Sequence, residues 1–201
     1  MFIFIAGGVK GGKSMFAQHS VKYLQNVHHG KLYYFATMVP RDDEDNKRIQ
    51  RHIFDRNGWG FTTIEEGCDI KKTLDKFDRK GIVLFDSLTA YVQNNIFNGK
   101  DGCDFNIERF SSDLYALENR VTDIVMVSDY IFSDAVIYKD MTNLFMEKLG
   151  QAHIIAAKHA DVVLECTFSN MKIWKNDTDI DIKSILTNYN RSDNHLKYDD
   201  I

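Results

Sequence analysis

Apolar residues in this chain follow two patterns that predict strands and helices in alternation. Short runs rich in Ile, Val, Phe and Tyr predict strands, and longer stretches with apolar residues three or four positions apart predict helices. The predicted strands cover residues 2–6, 31–37, 61–64, 81–85, 123–128, 162–166 and 171–174. The predicted helices cover residues 14–27, 42–56, 69–77, 88–97, 107–121 and 140–159. This alternation is typical of a mostly parallel sheet with helices on both faces, so the predicted fold class is α/β.

The last part of the chain departs from this alternation. The two final strands follow each other closely and predict a hairpin with Ser169 and Asn170 at its turn. Residues 98–104, which contain Gly and Asp, predict a loop. After Lys175 the sequence is polar and acidic, with a weakly helical centre at 182–186. We therefore expect one domain over residues 1–175 and an appendage over 176–201, which stays outside the central core and can be removed without unfolding the rest.

Length, charge and cysteine spacing narrow the class of protein. The 201 residues suit one domain with a substantial core, and a net charge of -4 argues against a nucleic-acid-binding protein. No apolar run approaches the roughly 20 residues that span a bilayer. The first six residues have no basic region of the kind that begins a signal peptide, so we expect a cytoplasmic protein. Cys68, Cys103 and Cys166 show no C-x-x-C spacing and predict reduced, structural thiols.

The residues after the first predicted strand fit a phosphate-binding loop. They match the spacing G-x-x-x-x-G-K-S and read Gly7-Gly8-Val9-Lys10-Gly11-Gly12-Lys13-Ser14. Glycines let backbone N–H groups fold closely around phosphate oxygens, and the following helix adds the positive end of its dipole. Lys13 supplies an ammonium group for the β- and γ-phosphates, and Ser14 supplies a hydroxyl ligand for Mg²⁺. The sequence therefore predicts a P-loop NTPase-like fold that binds a nucleoside triphosphate, without naming the base or the acceptor.

Two aspartates end predicted strands and compete for the role of a second magnesium ligand. Asp86 follows the buried run 82–85, and Asp129 follows 124–128 in the same way. An acid at the carboxyl end of a parallel strand can reach a metal ion held by phosphates at the same edge of the sheet. We expect Asp86 to have this role, with Asp129 as the alternative. A helix-capping role for Asp86 is also open.

The charged helix predicted at 42–56 carries a second candidate group. Arg48 and His52 are four residues apart and therefore share one helix face. Such a face can present an imidazole and a guanidinium group to a phosphate held by the first loop. Periodicity alone, however, favours an ordinary solvated charged helix.

These motifs together resemble the bifunctional adenosylcobinamide kinase/adenosylcobinamide-phosphate guanylyltransferase family of cobalamin biosynthesis. The resemblance begins with the N-terminal loop and continues, in order and at matching spacing, with Ala36-Thr37, Asp42-Asp43-Glu44 and Arg48-Ile49-x-x-His52. Further matches, which extend it to about residue 175, are Phe61-x-Thr63-x-Glu65, residues 84–89 with Asn94, Leu149-Gly150 and residues 156–161.

The resemblance implies two reactions. ATP or GTP phosphorylates the aminopropanol hydroxyl of adenosylcobinamide. GTP then transfers GMP to a histidine, which is His52 by position, and the phosphorylated cobinamide takes the GMP from it. Lys13 and Asp86 are the other implied catalytic residues. The resemblance also implies nucleotide contacts, besides those of the loop, from Ala36, Thr37, Met38, Arg48 and Glu65. It further implies a homo-oligomer, often a trimer, with sites near the subunit boundaries.

Departures from the family pattern leave other hypotheses open. Tyr130 and Phe132 stand where the family has glutamate and glycine, and His153 stands where it has asparagine. These changes predict that one of the two activities is weakened or lost. The alternative hypotheses are a P-loop small-molecule kinase without a covalent histidine, and a degenerate family member that binds GTP as a regulatory module.

Overall fold

The structure is a computed structural model that describes residues 1–97, 105–132, 136, 138–168, 170–182 and 184–185, with all side chains in these ranges except those of Arg48 and Asp55. The predicted loop 98–104 lies outside the described residues. The described strands are β1 (Phe2–Gly7), β2 (Lys31–Ala36), β3 (Thr62–Glu65), β4 (Gly81–Asp86), β5 (Asp123–Asp129), β6 (Val162–Thr167) and β7 (Asn170–Asn176). The described α-helices are α1 (Lys13–His28), α2 (Asp43–Asp55), α3 (Leu88–Phe97), α4 (Ile107–Arg120) and α5 (Asp140–His159).

All the described strands form one sheet in the order β3-β2-β4-β5-β1-β6-β7. Neighbouring strands are parallel except β6 and β7, which are antiparallel. This confirms the prediction of a mostly parallel α/β sheet. The register places Gly7 opposite Asp129, and Ala36 opposite both Glu65 and Asp86. Five strands therefore end at the same edge of the sheet, and each carries a predicted site residue at its end.

Each face of the sheet is covered by its own apolar layer. On β1, Ile3 and Ile5 pack in the layer that contains α1, while Phe2 and Phe4 pack in the layer that contains α3, α4 and α5. Successive side chains of a strand point to opposite faces, so a strand that is covered on both sides is apolar at nearly every position. This explains why the central strands were recognisable in the sequence as continuous apolar runs.

One predicted helix has a different form. Residues 69–77 were expected to form an α-helix, but the structure has a 3₁₀ helix at Lys71–Lys76. Its hydrogen bonds connect residues three apart, from the Thr73 N–H to the Ile70 carbonyl and from the Phe77 N–H to the Leu74 carbonyl. Such tight turns are typical of short connecting segments. The apolar face was predicted correctly, because Ile70 and Phe77 are both fully buried.

The C-terminal part of the chain differs from the prediction at two points. Asn170 already pairs with Thr167 in the β6–β7 hairpin, so the turn begins at Phe168 and its other residue, Ser169, lies outside the described residues. The expectation that residues 176–201 stay outside the core is wrong for Ile182 and Ile185. They are 2% and 1% exposed and pack in the α1 layer. Burying an isoleucine removes enough apolar surface from water to fix even a short polar segment to the sheet.

We expect Ile182→Ala to lower the free energy of unfolding by about 2–5 kcal/mol, because it leaves a cavity in the α1 layer. Urea unfolding followed by circular dichroism measures this change. The matched control is Ile154→Ala on α5, where the side chain is 57% exposed, and its effect should stay within about 0.5 kcal/mol. Truncation after Lys175 removes both buried isoleucines and should destabilise the protein more than Ile182→Ala does. Equal stability of the two alanine variants would show that the C-terminal segment does not belong to the core.

Candidate functional site

The glycine-rich loop lies between the carboxyl end of β1 and the first turn of α1. Gly12 caps α1 with a φ of 92°, a left-handed conformation that glycine adopts without strain. Gly7 packs so closely against β6 that a Cβ atom there would collide with the carbonyl oxygen of Cys166. The Cys166 thiol donates a hydrogen bond of 2.7 Å to the Gly11 carbonyl. Contacts with β6 therefore hold the loop on both sides of its apex.

Lys13 begins α1 and is only 7% exposed. Its Nζ lies 2.9 Å from Oδ1 of Asp129 and donates a hydrogen bond of 2.6 Å to the Gly8 carbonyl. The ammonium group is thus placed between the loop and the end of β5. An ammonium group in this position can contact phosphate oxygens that lie on the loop.

The two aspartates that compete as metal ligands have different partners. Asp86 ends β4 and Asp129 ends β5, which lies between β4 and β1 in the sheet. The Tyr34 hydroxyl donates a hydrogen bond of 2.6 Å to Oδ2 of Asp86. Asp129 forms the ion pair with Lys13, and its backbone N–H donates to Oγ1 of Thr89 at 2.7 Å. The tyrosine bond uses only one of the two oxygens of Asp86.

His52 lies near the C-terminal end of α2 and is half-buried. The helix begins after Asp42, whose side chain accepts a hydrogen bond of 2.9 Å from the Asp45 N–H. One turn beyond His52, the Arg56 N–H donates to the His52 carbonyl, and the Arg56 guanidinium carbon lies 3.7 Å from the centre of the Tyr34 ring. The end of α2 that carries His52 is therefore attached to β2.

Two cavities meet at His52. The loop-side cavity has a volume of about 590 Å³, and its walls include Val9, Lys10, Lys13, Ser14, Lys47 and Arg51. The strand-side cavity has a volume of about 420 Å³, and its walls include Tyr34, Ala36, Met38, Arg56, Glu65 and Asn94. His52, Asp86 and Asp129 line both cavities. Side chains with phosphate-binding and nucleophilic chemistry therefore line two adjacent cavities.

Most of the predicted site residues thus come together, with two qualifications. Arg48 is on α2, but its side chain lies outside the described part of the structure. Thr37 is fully buried; its hydroxyl donates to the Ser87 carbonyl and accepts from the Ser87 N–H, both at 2.7 Å. Its observed bonds join the ends of β2 and β4, and a direct contact of Thr37 with the nucleotide stays a prediction.

Asn94 fixes the wall of the strand-side cavity. Its side-chain amide is 3% exposed and donates hydrogen bonds to the carbonyls of Thr37, at 2.6 Å, and Gly67, at 3.2 Å. These bonds connect α3 with the segments that follow β2 and β3. The sequence motif includes Asn94, but it did not indicate that its amide donates hydrogen bonds to these two carbonyls.

His153 extends a hydrogen-bond network from α5 to the end of β5. Its Nε2 shares a 2.7 Å hydrogen bond with Oγ of Ser128, which lies 3.0 Å from the Thr89 hydroxyl. Burial lowers the pKa of His153 to about 4, although the charge of Asp129 acts in the opposite direction. The imidazole is therefore neutral near pH 7. Sequence reasoning noted this histidine only as a departure from a family pattern.

Sequence reasoning also missed Tyr34 and Arg56. Arg56 follows His52 by four residues, so the spacing that connected Arg48 with His52 could have been continued to it. Tyr34 had no comparable signal, because its partner Asp86 is 52 residues away along the chain.

The part of the chain that the structure describes contains no helix with the length and the apolar character needed to cross a membrane. It also contains no group of three or more His, Cys, Asp or Glu side chains placed to hold a metal ion.

Comparison with known proteins identifies a family. A family model described as cobinamide kinase / cobinamide phosphate guanyltransferase matches residues 3–169. No curated protein matches the sequence. Among solved structures, the ATPase domain of G40P is similar in fold, with a TM-score of 0.53 and 15% identity over 92% of this chain and 82% of that chain. The flagellar accessory protein FlaH from Methanocaldococcus jannaschii gives a TM-score of 0.44 and 15% identity over 88% of this chain and 78% of that one. Because the family model spans most of its length, the chain belongs to the cobinamide kinase / cobinamide phosphate guanyltransferase family.

Proposed function

We propose that this protein phosphorylates a cobinamide with a nucleoside triphosphate and then transfers GMP from GTP to the product through a covalent intermediate on His52. The observation that supports this most is that His52 lines the same cavity as Lys13, Ser14 and Asp86. Membership of the family supports the class of substrate. By resemblance to the family we also propose a homo-oligomer, with a trimer favoured, in the cytoplasm.

The loop-side cavity fits the triphosphate. The loop supplies backbone N–H groups at the start of α1, and Lys13 supplies a positive charge beside them. Ser14 and Asp86 line the same cavity and offer the hydroxyl and carboxylate oxygens that Mg²⁺ prefers. When bound there, Mg²⁺ would neutralise negative charge on the phosphate oxygens. Either ATP or GTP serves the kinase step in this proposal.

His52 acts in this proposal as a nucleophile. A ring nitrogen uses its lone pair to form a bond to the α-phosphorus of GTP, and the bond from that phosphorus to the bridging oxygen breaks. Pyrophosphate leaves with the electron pair, and Lys13 and the loop amides stabilise the charge that develops on it. A phosphate oxygen of the phosphorylated cobinamide then attacks the same phosphorus, and the P–N bond breaks to release the imidazole.

The strand-side cavity supports the entry of the second reactant. It shares His52, Asp86 and Asp129 with the loop-side cavity, so an acceptor bound there lies next to the proposed nucleophile. Ala36, Met38 and Glu65 line this cavity. We propose that they contact the nucleoside of the GMP group. The proposed acceptor is a corrinoid of the adenosylcobinamide type.

The altered segment after β5 supports a difference between the two activities. Tyr130 is 47% exposed and packs edge-on against Phe132, and the Phe132 ring lies 5.4 Å from that of His153. Aromatic side chains thus occupy the segment where the family pattern has a glutamate and a glycine. We propose that one activity, either the kinase or the guanylyltransferase, is weaker than the other in this protein.

We expect Lys13→Ala to weaken the binding of GTP by about 10- to 100-fold, because it removes a charged hydrogen-bond donor from the phosphates. Titration calorimetry measures the affinity, and the melting temperature shows whether the variant is folded. Lys22→Ala on the same helix, outside both cavities, is the control and should bind GTP as the wild type does. An unchanged affinity in folded Lys13→Ala would exclude the loop as the triphosphate site.

We expect Asp86→Asn to lower turnover by about tenfold or more, with little change in the melting temperature, because it removes a charged metal ligand. The matched variant Asp129→Asn removes the partner of Lys13 instead, so it should strengthen the binding of GTP measured without Mg²⁺. At the start of α3 the Ser87 hydroxyl, not Asp86, accepts a hydrogen bond from the Ala90 N–H. If Asp86→Asn lowers stability and leaves activity per folded molecule intact, the role of Asp86 is its structural bond to Tyr34, and Asp129 becomes the candidate ligand.

We expect wild-type protein incubated with GTP and Mg²⁺ to gain the mass of one GMP group, and His52→Ala to gain none while it still binds GTP. Intact-protein mass spectrometry detects this adduct, and its loss in acid is typical of a P–N bond. His29→Asn, which changes an exposed histidine at the end of α1, is the control. An adduct on His52→Ala would falsify the assignment. Absence of an adduct on the wild type would favour a plain kinase or a GTP-binding module.

A further inference from the structure

Contacts through Tyr34 connect the helix of His52 with Asp86. The Arg56 guanidinium carbon lies 3.7 Å from the centre of the Tyr34 ring, and the Tyr34 hydroxyl donates a 2.6 Å hydrogen bond to Asp86. Arg56 follows His52 by one helical turn and is bonded to the His52 carbonyl through its own N–H. A continuous series of contacts therefore joins the candidate nucleophile and the candidate metal ligand.

Helix α2 and the Tyr34 ring differ in how much of their surface is packed against the rest of the protein. None of the described side chains of α2 is buried. Of its three apolar residues, Ile53 and Phe54 are 42% and 78% exposed, and only Ile49 is partly buried. Without an apolar face against the sheet, the position of α2 depends on individual contacts such as the one made by Arg56. Tyr34, in contrast, is 5% exposed on β2, between β3 and β4. The tyrosine ring is therefore a fixed platform and the helix is the part that needs to be positioned.

We propose that Arg56 and Tyr34 are positioning residues. Arg56 holds α2 on the Tyr34 ring so that His52 faces both cavities, and the Tyr34 hydroxyl fixes one oxygen of the Asp86 carboxylate, which would leave the second oxygen for Mg²⁺. This inference rests on the proposed function, because it assigns the roles of His52 and Asp86 from it. It adds two residues that line the strand-side cavity and act on the reaction through His52 and Asp86.

Three substitutions separate the stacking of Arg56 on Tyr34 from the charge of Arg56 and from the hydrogen bond between Tyr34 and Asp86. A guanidinium group stacks on an aromatic ring through its planar face, which the ammonium group of lysine lacks. Arg56→Lys therefore keeps the positive charge and loses the stacking, whereas Arg56→Ala loses both. Tyr34→Phe keeps the ring under Arg56 and removes only the hydrogen bond to Asp86.

The experiment compares these three variants with wild-type protein in single-turnover formation of the GMP adduct. At saturating GTP, we expect both Arg56 variants to form the adduct about 10- to 100-fold more slowly, because the nucleophile is displaced. We expect Tyr34→Phe to raise the Mg²⁺ concentration needed for half-maximal GTP binding by roughly three- to tenfold, because the carboxylate is less well oriented. Arg79→Ala and Tyr115→Phe, which change exposed residues elsewhere, are the matched controls.

Hydrogen exchange of backbone amides gives a further measurement that does not depend on the enzymatic reaction. Amides of α2 should exchange faster in both Arg56 variants than in Arg79→Ala. If Arg56→Lys behaves as the wild type while Arg56→Ala is slow, the charge of Arg56 and not its stacking matters, and the inference is wrong. It is equally wrong if Tyr34→Phe has the Mg²⁺ dependence of Tyr115→Phe. If the wild type forms no adduct, the proposed function fails, and the exchange and Mg²⁺ measurements still decide the inference.

Discussion

The close approach of β1 to β6 at the carboxyl edge of the sheet determines where a phosphate can bind. Gly7 is paired with Asp129 on one side and with Cys166 on the other, and the backbone of Cys166 leaves no space for a side chain at Gly7. The loop is therefore drawn onto the ends of its two neighbouring strands. As a consequence, Lys13 at the start of α1 reaches Asp129. A wider separation would place the loop amides, the lysine and the carboxylates in different parts of the surface.

Charged groups at this edge are paired or neutralised, as burial requires. An ammonium group that is 7% exposed, like that of Lys13, would be costly without a partner, and Asp129 provides one at 2.9 Å. His153 avoids the same cost by remaining neutral, because burial lowers its pKa to about 4. Its hydrogen bond to Ser128 satisfies the ring nitrogen without adding a charge beside Asp129. The negative charge of Asp129 is therefore left to balance Lys13.

The sequence predicted local features well and failed where distant segments meet. The loop between β1 and α1 and the apolar central strands follow from short-range patterns, so both were found. Ile182 and Ile185 were missed because two isoleucines three positions apart in a polar stretch do not form a recognisable periodic pattern. The spacing of Ile70, Leu74 and Phe77 predicts an α-helix, but the helical segment is shorter: Ile70 and Phe77 are the cap residues at its two ends, and both are buried there.

In the candidate site too, local patterns predicted single residues but not the contacts between distant segments. The loop pattern predicted Lys13, the position after a buried strand predicted Asp86, and the family resemblance implied His52. The structure places all three on one cavity. The partners of these groups were not predictable. Whether Lys13 meets Asp86 or Asp129 depends on the insertion of β5 between β1 and β4, and no local pattern specifies the order of strands in a sheet.

The composition of α2 suits the proposed function, in which His52 meets two reactants. An amphipathic helix with a broad apolar stripe would bury that face and restrict His52 to one side. In α2 the first turn instead carries Asp43, Glu44 and Asp45, which stabilise the helix through its dipole without requiring burial. His52 consequently stays open to both cavities, but the helix has little apolar contact to hold it. The stacking of Arg56 on Tyr34 compensates for this at the end of the helix next to His52, where a small displacement would matter most.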